Sequence, residues 1–115
     1  MSLTIYHNPR CSKSRETLAL LEQKGLNPEI IKYLDTPPGA DQLKTLLTQL
    51  GMSSARELMR TKEQEYKDLG LADVQDEDAL LAAMTAHPRL LERPIVVNNN
   101  QAALGRPPEQ VLDIL

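Results

Sequence analysis

Apolar runs and helical patterns alternate along the first third of the chain. Residues 3–6 form a short β-rich run, which the turn signal Asn8-Pro9 ends. A helix is predicted from about Ser12 to Lys24, with Gly25 at the position after the helix that favours glycine. The next strand is predicted at Glu29 to Tyr33. Two strands joined by a helix predict a parallel, right-handed βαβ unit.

The middle of the chain is predicted to be a helical insert at about residues 37–87. Its first helix carries leucines at i, i+3, i+4 and i+7, an amphipathic stripe formed by Leu43, Leu46, Leu47 and Leu50. Ser54 and Glu57 have the spacing of a capping box and predict a short helix that carries Met59. Further helices are predicted over residues 63–69 and 76–86.

The last third of the chain returns to β-structure. A short apolar strand is predicted over residues 95–97, a turn over 98–100, and a hairpin partner over 101–104. A final helix is predicted from Glu109 to Leu115. The order is therefore β-α-β, inserted helices, then β-β-α, which is the order of a thioredoxin-like α/β fold with a four-stranded mixed sheet. Residues 1–115 are expected to form one domain.

Composition and charge exclude several classes of partner. The 115 residues include three tyrosines but no Phe or Trp, so aromatic platforms for single-stranded nucleic acid are scarce. The 13 basic and 16 acidic residues are interspersed, with a net charge of −3, which indicates neither nucleic-acid nor membrane binding. No apolar stretch approaches the roughly 20 residues that span a bilayer, and the first residues do not resemble a signal peptide. We expect a cytoplasmic protein.

The segment from His7 to Arg15 carries the candidate chemistry. It contains Cys11, the only cysteine of the chain, together with Arg10 and Lys13, and no acidic residue. The segment joins a strand to the start of a helix, where free backbone N–H groups favour an anion. These groups, the neighbouring cations and His7 are expected to lower the pKa of Cys11 from about 8.5 to about 5–7. The alternative is that Cys11 is a small buried apolar residue.

Two other interpretations of the cysteine segment are weaker. Ser14 stands where a CxxC redox motif has its second cysteine, so a resolving thiol must come from another molecule. A phosphatase-type loop would need arginine at the position that Thr17 occupies. With one cysteine the chain forms no internal disulfide and no cysteine-rich zinc site, and neither a metal site nor a bound cofactor is predicted.

Arginines at the ends of predicted β-elements are candidates for anion binding. Arg93 precedes Pro94 at the start of a strand, where this fold usually carries a cis peptide, and Arg106 follows the hairpin. Planar guanidinium groups suit tetrahedral oxyanions. Arg60 is predicted at the end of an amphipathic helix, where a cation is expected to face solvent.

The sequence resembles the glutaredoxin-coupled arsenate reductases of the ArsC family, and within it the YfgD-like branch. The spacing of His7, Cys11 and Arg15 matches the pattern His-x3-Cys-x3-Arg of the family. The blocks that resemble the family occur in its order and cover nearly the whole chain: IYHNPRCSKSR, ELMRTK, RPIVV and GRPPEQVLDIL. The resemblance implies a thioredoxin-like fold and an oxidoreductase that converts arsenate to arsenite.

The resemblance also implies roles for individual residues. Cys11 would attack arsenate as a thiolate, while the oxyanion would be held by Arg60, Arg93 and Arg106. The adduct would be resolved by glutathione, the external reductant, and by a partner glutaredoxin. The supporting residues implied are His7, Ser14, Arg15 and Pro94.

Departures from the family pattern keep alternatives open. Ser12 and Lys13 stand after the cysteine, where the arsenate enzymes favour small residues. One alternative is a regulator resembling the Spx branch of the superfamily, although Ser14 removes the CxxC switch of that branch. Another is a glutathione-linked thiol protein that does not turn over arsenate.

Overall fold

A four-stranded mixed sheet organises the computed structural model, which describes residues 3–115. The strands are β1 (Leu3–His7), β2 (Glu29–Lys32), β3 (Ile95–Asn98) and β4 (Gln101–Leu104). Their order in the sheet is β2-β1-β3-β4. β1 pairs with β2 in parallel, whereas β3 is antiparallel to both β1 and β4. The predicted mixed sheet is confirmed.

The chain divides into two compact units. The first unit comprises the residues up to Thr36 together with Arg93–Leu115, and the second comprises Pro37–Glu92. The expectation of one domain over residues 1–115 stays a prediction, and Met1 and Ser2 lie outside the described residues.

The core of the first unit lies between the sheet and the elements that cover it. These elements are α1 (Ser12–Gln23) and a C-terminal 3₁₀ helix (Pro108–Ile114). The fully or nearly fully buried residues at its centre are Ile5, Leu21, Val96, Ala103 and Val111. All five are aliphatic, as expected for a chain without Phe or Trp. Burial of such side chains is the main favourable contribution to folding.

The ends of several elements differ from the sequence predictions. α1 ends at Gln23, one residue early, and Gly25 has the predicted left-handed conformation with φ of 74°. Asn98 was predicted in the turn but pairs with Gln101 as the last residue of β3. The final helix is a 3₁₀ helix that starts one residue earlier than predicted.

The second unit is helical, as predicted for the middle of the chain. Its α-helices are α2 (Ala40–Leu50), α3 (Gln64–Asp68) and α4 (Glu77–Ala86). Short 3₁₀ helices at Ala55–Leu58, Leu71–Asp73 and Pro88–Leu90 connect or follow them. Three leucines of the predicted stripe are buried, namely Leu43, Leu46 and Leu47, and the fourth, Leu50, is half-buried.

The predicted capping box is present, but the helix that it opens is shorter than predicted. The Glu57 carboxylate accepts a hydrogen bond from the backbone N–H of Ser54 at 2.9 Å. The 3₁₀ helix ends at Leu58, and Met59 is extended with ψ of 146°. Placing Met59 and Arg60 in a helix was therefore wrong. Their backbone instead pairs with the segment around Leu91, because Met59 and Leu91 form an isolated antiparallel bridge.

No helix within residues 3–115 is long and apolar enough to cross a membrane. Over the same residues, no group of three or more His, Cys, Asp or Glu side chains is placed to hold a metal ion.

Candidate active site

Cys11 lies where the polypeptide turns from β1 into α1. Its backbone N–H donates to the carbonyl of Asn8 at 3.0 Å, which closes the turn that Asn8-Pro9 predicts. Its own carbonyl accepts the N–H of Arg15 at 3.0 Å, the first hydrogen bond of the helix. Cys11 is thus the N-cap residue of α1. The thiol lies beside backbone N–H groups that have no partner inside the helix.

The thiol of Cys11 is buried, with 8% of the residue exposed, and its pKa is nevertheless lowered. Burial by itself raises this pKa. The opposing effects are the backbone N–H of Ser14, the charge and hydrogen bond of the Arg93 guanidinium, and the backbone N–H of Lys13. Together they outweigh burial and favour the thiolate. Cys11 is buried, as the alternative interpretation expects, but the lowered pKa favours the interpretation as a nucleophile.

The cations responsible for this pKa differ from those that the sequence suggested. The side chains of Arg10, Lys13 and Arg15 were expected to act, but the cation that lowers the pKa is Arg93. Lys13 pairs with Glu16 at 3.5 Å. Arg15 donates through Nη1 to the carbonyl of Pro9 at 3.0 Å. Lys13 and Arg15 are exposed on α1 and contact these nearby groups. Their closeness to Cys11 in the sequence therefore does not place their charges beside the sulfur.

The β3–β4 hairpin brings Arg93 and Arg106 to the cysteine. The register pairs Ile95 with Leu104, so the residues just outside the two strands lie at the same end of the sheet. Arg106 donates through Nε to the Arg93 carbonyl at 2.7 Å, and its Nη2 lies 3.8 Å from the Cys11 sulfur. The predicted cis peptide at Arg93–Pro94 is present, and Arg106–Pro107 is also cis.

Arg93 has unused capacity to donate hydrogen bonds at this site. Its Nε is buried and has no hydrogen-bond partner within the described residues. A guanidinium group presents five N–H donors in one plane, and buried donors of this kind usually have partners. The arrangement around Cys11 thus combines a thiol of lowered pKa, two guanidinium groups and a free donor, which suits a small oxyanion.

His7 and Ser14 form a buried pair behind the cysteine loop. Ser14 Oγ lies 2.6 Å from His7 Nδ1 and accepts the backbone N–H of Asn8 at 3.0 Å. Burial, Lys32 and Arg15 all lower the pKa of His7, so folding favours the neutral ring. The hydroxyl of Ser14 then donates to Nδ1, which places the ring proton on Nε2. The free energy of unfolding therefore keeps its full contribution from His7 above about pH 6.5. It decreases as the pH falls below this value, because the unfolded chain takes up the proton more readily than the folded one.

Arg60 lies in the second unit, where two carboxylates engage it. Its Nη1 is 2.9 Å from Glu63 Oε1, and its Nε is 4.0 Å from Glu92 Oε1. Arg89 joins the same cluster through Glu63 at 3.9 Å. The part that Arg60 plays in holding an oxyanion stays a prediction from the family resemblance.

A pocket of about 300 Å³ opens beside the cysteine loop on the β2 side. Its lining residues are His7, Asn8, Pro9, Arg10, Lys32, Leu34 and Asp35. Lys32 is a residue that sequence reasoning missed. The signal was available in the βαβ pattern, because a parallel register places the end of β2 beside the end of β1, and Lys32 pairs with His7.

The geometry defines a small α/β protein with a cysteine at a helix N-terminus and arginines from a neighbouring hairpin. The model of the ArsC family matches residues 6–114, and the chain belongs to this family. The protein YfgD of Escherichia coli K12 is 62% identical over 112 residues, which cover 96% of this chain and 94% of that protein. The predicted membership of the YfgD-like branch is confirmed.

Relatives named as arsenate reductases are similar over the same length. One from Neisseria meningitidis serogroup A is 54% identical over 114 residues, which cover 98% of this chain and 97% of that protein. The solved structure of an arsenate reductase from Vibrio cholerae is 62% identical, with a TM-score of 0.97 and coverage of 100% of this chain and 98% of that one. The predicted thioredoxin-like fold is confirmed.

The first prediction concerns the acidity of Cys11. Its rate of alkylation by iodoacetamide should rise with a midpoint below the ordinary thiol pKa of about 8.5. Arg93→Gln should move this midpoint upward, because it removes the cation that stabilises the thiolate. Arg89→Gln, an exposed arginine of the second unit, is the matched control and should leave the midpoint unchanged. A wild-type midpoint at or above 8.5 would contradict the electrostatic account.

The second prediction concerns the buried pair behind the loop. Ser14→Ala should lower the free energy of unfolding by about 1–3 kcal/mol, because His7 Nδ1 and the Asn8 N–H lose their partner. Ser12→Ala, at an exposed position of the same helix, should change it by less than about 0.5 kcal/mol. Urea denaturation measures both values. Equal effects of the two substitutions would mean that the Ser14 contact contributes nothing specific.

Proposed function

We propose that the protein is an arsenate reductase, an oxidoreductase that uses Cys11 as its nucleophile. The observation that supports this most directly is the Cys11 thiol with lowered pKa, placed 3.8 Å from an arginine that the hairpin supplies. Similarity to proteins named arsenate reductase, at 46–62% identity, supports the choice of arsenate among small oxyanions.

The first step of the proposed reaction joins Cys11 to arsenate. The thiolate attacks arsenic, an As–S bond forms, and one oxygen leaves as water after protonation. Arg93 and Arg106 neutralise the oxyanion through charge-assisted hydrogen bonds, and the free Nε of Arg93 adds one donor. Lys13 is one of the two departures from the family pattern. Its ammonium group pairs with Glu16, so we expect it to leave space for the anion beside the sulfur.

The second step transfers two electrons to arsenic. The thiol of glutathione attacks the adduct, the As–S bonding electrons remain on arsenic, and arsenite is released. The products are arsenite and a mixed disulfide between Cys11 and glutathione. Glutaredoxin restores the Cys11 thiolate by thiol–disulfide exchange. An external thiol is required in this scheme because Ser14 stands at the position of a resolving cysteine.

We propose that glutathione binds in the pocket on the β2 side of the loop. Glutathione carries two carboxylates and one ammonium group at neutral pH. The pocket offers the opposite set of charges, with cations at Arg10 and Lys32 and a carboxylate at Asp35. Three lining residues, Asn8, Pro9 and Arg10, directly precede Cys11 in the loop, so a thiol bound in this pocket would lie near the cysteine.

The proposed activity predicts an arsenate-dependent rate. NADPH oxidation coupled through glutathione, glutaredoxin and glutathione reductase should require arsenate and the wild-type chain. Cys11→Ser should abolish the rate, because it removes the nucleophile, and should keep the wild-type circular dichroism spectrum. Absence of an arsenate-dependent rate in the wild type would reject arsenate as the substrate.

The glutathione pocket predicts a change in the KM for glutathione. The double variant Arg10→Gln/Lys32→Gln should raise this KM about 3- to 10-fold, because each exposed ion contact contributes about 0.2–1 kcal/mol. The KM for arsenate should change less than about 2-fold. The matched control removes two exposed lysines that do not line this pocket, by Lys24→Gln and Lys67→Gln. An equal effect of both pairs would show that only net charge matters.

A further inference from the structure

Among the five glycines, all of which lie within the described residues, Gly105 is the one with no space for a Cβ atom. A Cβ atom built on Gly105 would lie 2.3 Å from Thr17 Oγ1 and 2.7 Å from Pro94 Cγ. At the other four glycines, a Cβ would meet nothing within 4 Å. A separation below 3.0 Å forces a displacement, so the backbone at Gly105 approaches its neighbours more closely than any other residue type would permit.

The neighbours of Gly105 are fixed in place. Thr17 is fully buried in α1, and its Oγ1 donates to the carbonyl of Lys13 at 2.8 Å. Pro94 is buried immediately before β3, and its carbonyl accepts the N–H of Gly105 at 2.9 Å. Because neither neighbour is the end of a flexible side chain, an added methyl group would displace residue 105 itself.

The residue that follows Gly105 is the arginine at the cysteine. Arg106 donates to the Arg93 carbonyl at 2.7 Å and reaches the Cys11 sulfur with Nη2 at 3.8 Å. Thr17 lies in the second turn of α1 and Cys11 is the N-cap of the same helix, so the contact between Gly105 and Thr17 sets the separation between the hairpin and the helix that carries the cysteine. A shift of a few tenths of an ångström at residue 105 passes directly to Arg106.

We propose that Gly105 is a positioning residue, whose close contact with Thr17 and Pro94 holds the Arg106 guanidinium at the Cys11 sulfur and its oxyanion. The proposal rests on the proposed function for the identity of that oxyanion. Gly105 touches neither arsenate nor the sulfur in this account, and it acts through Arg106.

Gly105→Ala tests the proposal, with Gly39→Ala as the matched control. Gly39 precedes α2 with φ of −76° and open space around it, so alanine fits there. Gly105→Ala should raise the KM for arsenate at least about 10-fold, the factor that corresponds to about 1.4 kcal/mol. Gly39→Ala should change it less than about 2-fold. An unchanged KM in Gly105→Ala would overturn the proposal.

A double-mutant cycle distinguishes positioning from a general structural role. In an Arg106→Ala background, Gly105→Ala should cost less than about 2-fold, because the side chain that it positions is already absent. An equal cost in both backgrounds would overturn the proposal. Protection of Cys11 from iodoacetamide by inorganic sulfate provides a readout without arsenate. Gly105→Ala should weaken this protection in the wild-type background and leave it unchanged with Arg106→Ala, even if arsenate is not the substrate.

A second variant covers the case in which Gly105→Ala does not fold. Adding Thr17→Ala removes two of the three closest atoms, Oγ1 and Cγ2, and leaves only Pro94 Cγ in contact. This double variant should fold and should recover part of the lost affinity for arsenate. Failure of both variants to fold would show that Gly105 serves the fold alone and would overturn the proposal.

Discussion

The lowered pKa of a buried thiol is the property of the first unit on which the candidate site depends. Removing Cys11 from water disfavours the thiolate, and this cost is offset only by donors and cations fixed around the sulfur. Two backbone N–H groups come from the start of α1, and the cation comes from Arg93 before β3. The helix supplies its donors locally, whereas the arginines reach the sulfur only because β1, β3 and β4 lie side by side.

The loop that carries Cys11 is held from behind by an uncharged pair. His7 ends β1 and Ser14 lies in the first turn of α1, so their contact joins the two elements on either side of the cysteine. A protonated His7 would add a third positive charge near Lys32 and Arg15, and the structure disfavours it. The histidine therefore supports the geometry of the loop, while guanidinium groups supply the charge at the sulfur.

The sequence was sufficient for the fold, and it singled out Cys11 as the candidate nucleophile, because both inferences depend on local pattern. The βαβ unit, the leucine stripe of α2 and the glycine after α1 follow from spacing and turn chemistry alone. The cation that acts on Cys11 did not follow, since charges close in sequence, such as Lys13, are turned toward helix partners such as Glu16. Arg93 and Arg106 were candidates for anion binding from their positions at the ends of β-elements, and the family resemblance supported them, but their contact with the cysteine depends on the strand register.

Contacts between distant parts of the chain explain why Gly105 and Lys32 were overlooked. Each matters through a contact with a residue far away in the chain, Thr17 for Gly105 and His7 for Lys32. Turn propensity accounts for a glycine before Arg106-Pro107 without any close approach. The end of the helical turn at Leu58 is a third case, because pairing with the segment at Leu91 competes with helix extension beyond the capping box.

The contact between Arg106 and Cys11 joins residues 95 positions apart in the chain. A polypeptide is synthesised from its N-terminus, so β1 and the cysteine leave the ribosome long before the hairpin exists. Until β3 and β4 join the sheet, Cys11 lacks both arginines, and only the backbone N–H groups at the start of α1 favour its thiolate. The set of groups that lowers the pKa of Cys11 is therefore complete only after the C-terminal hairpin has been synthesised.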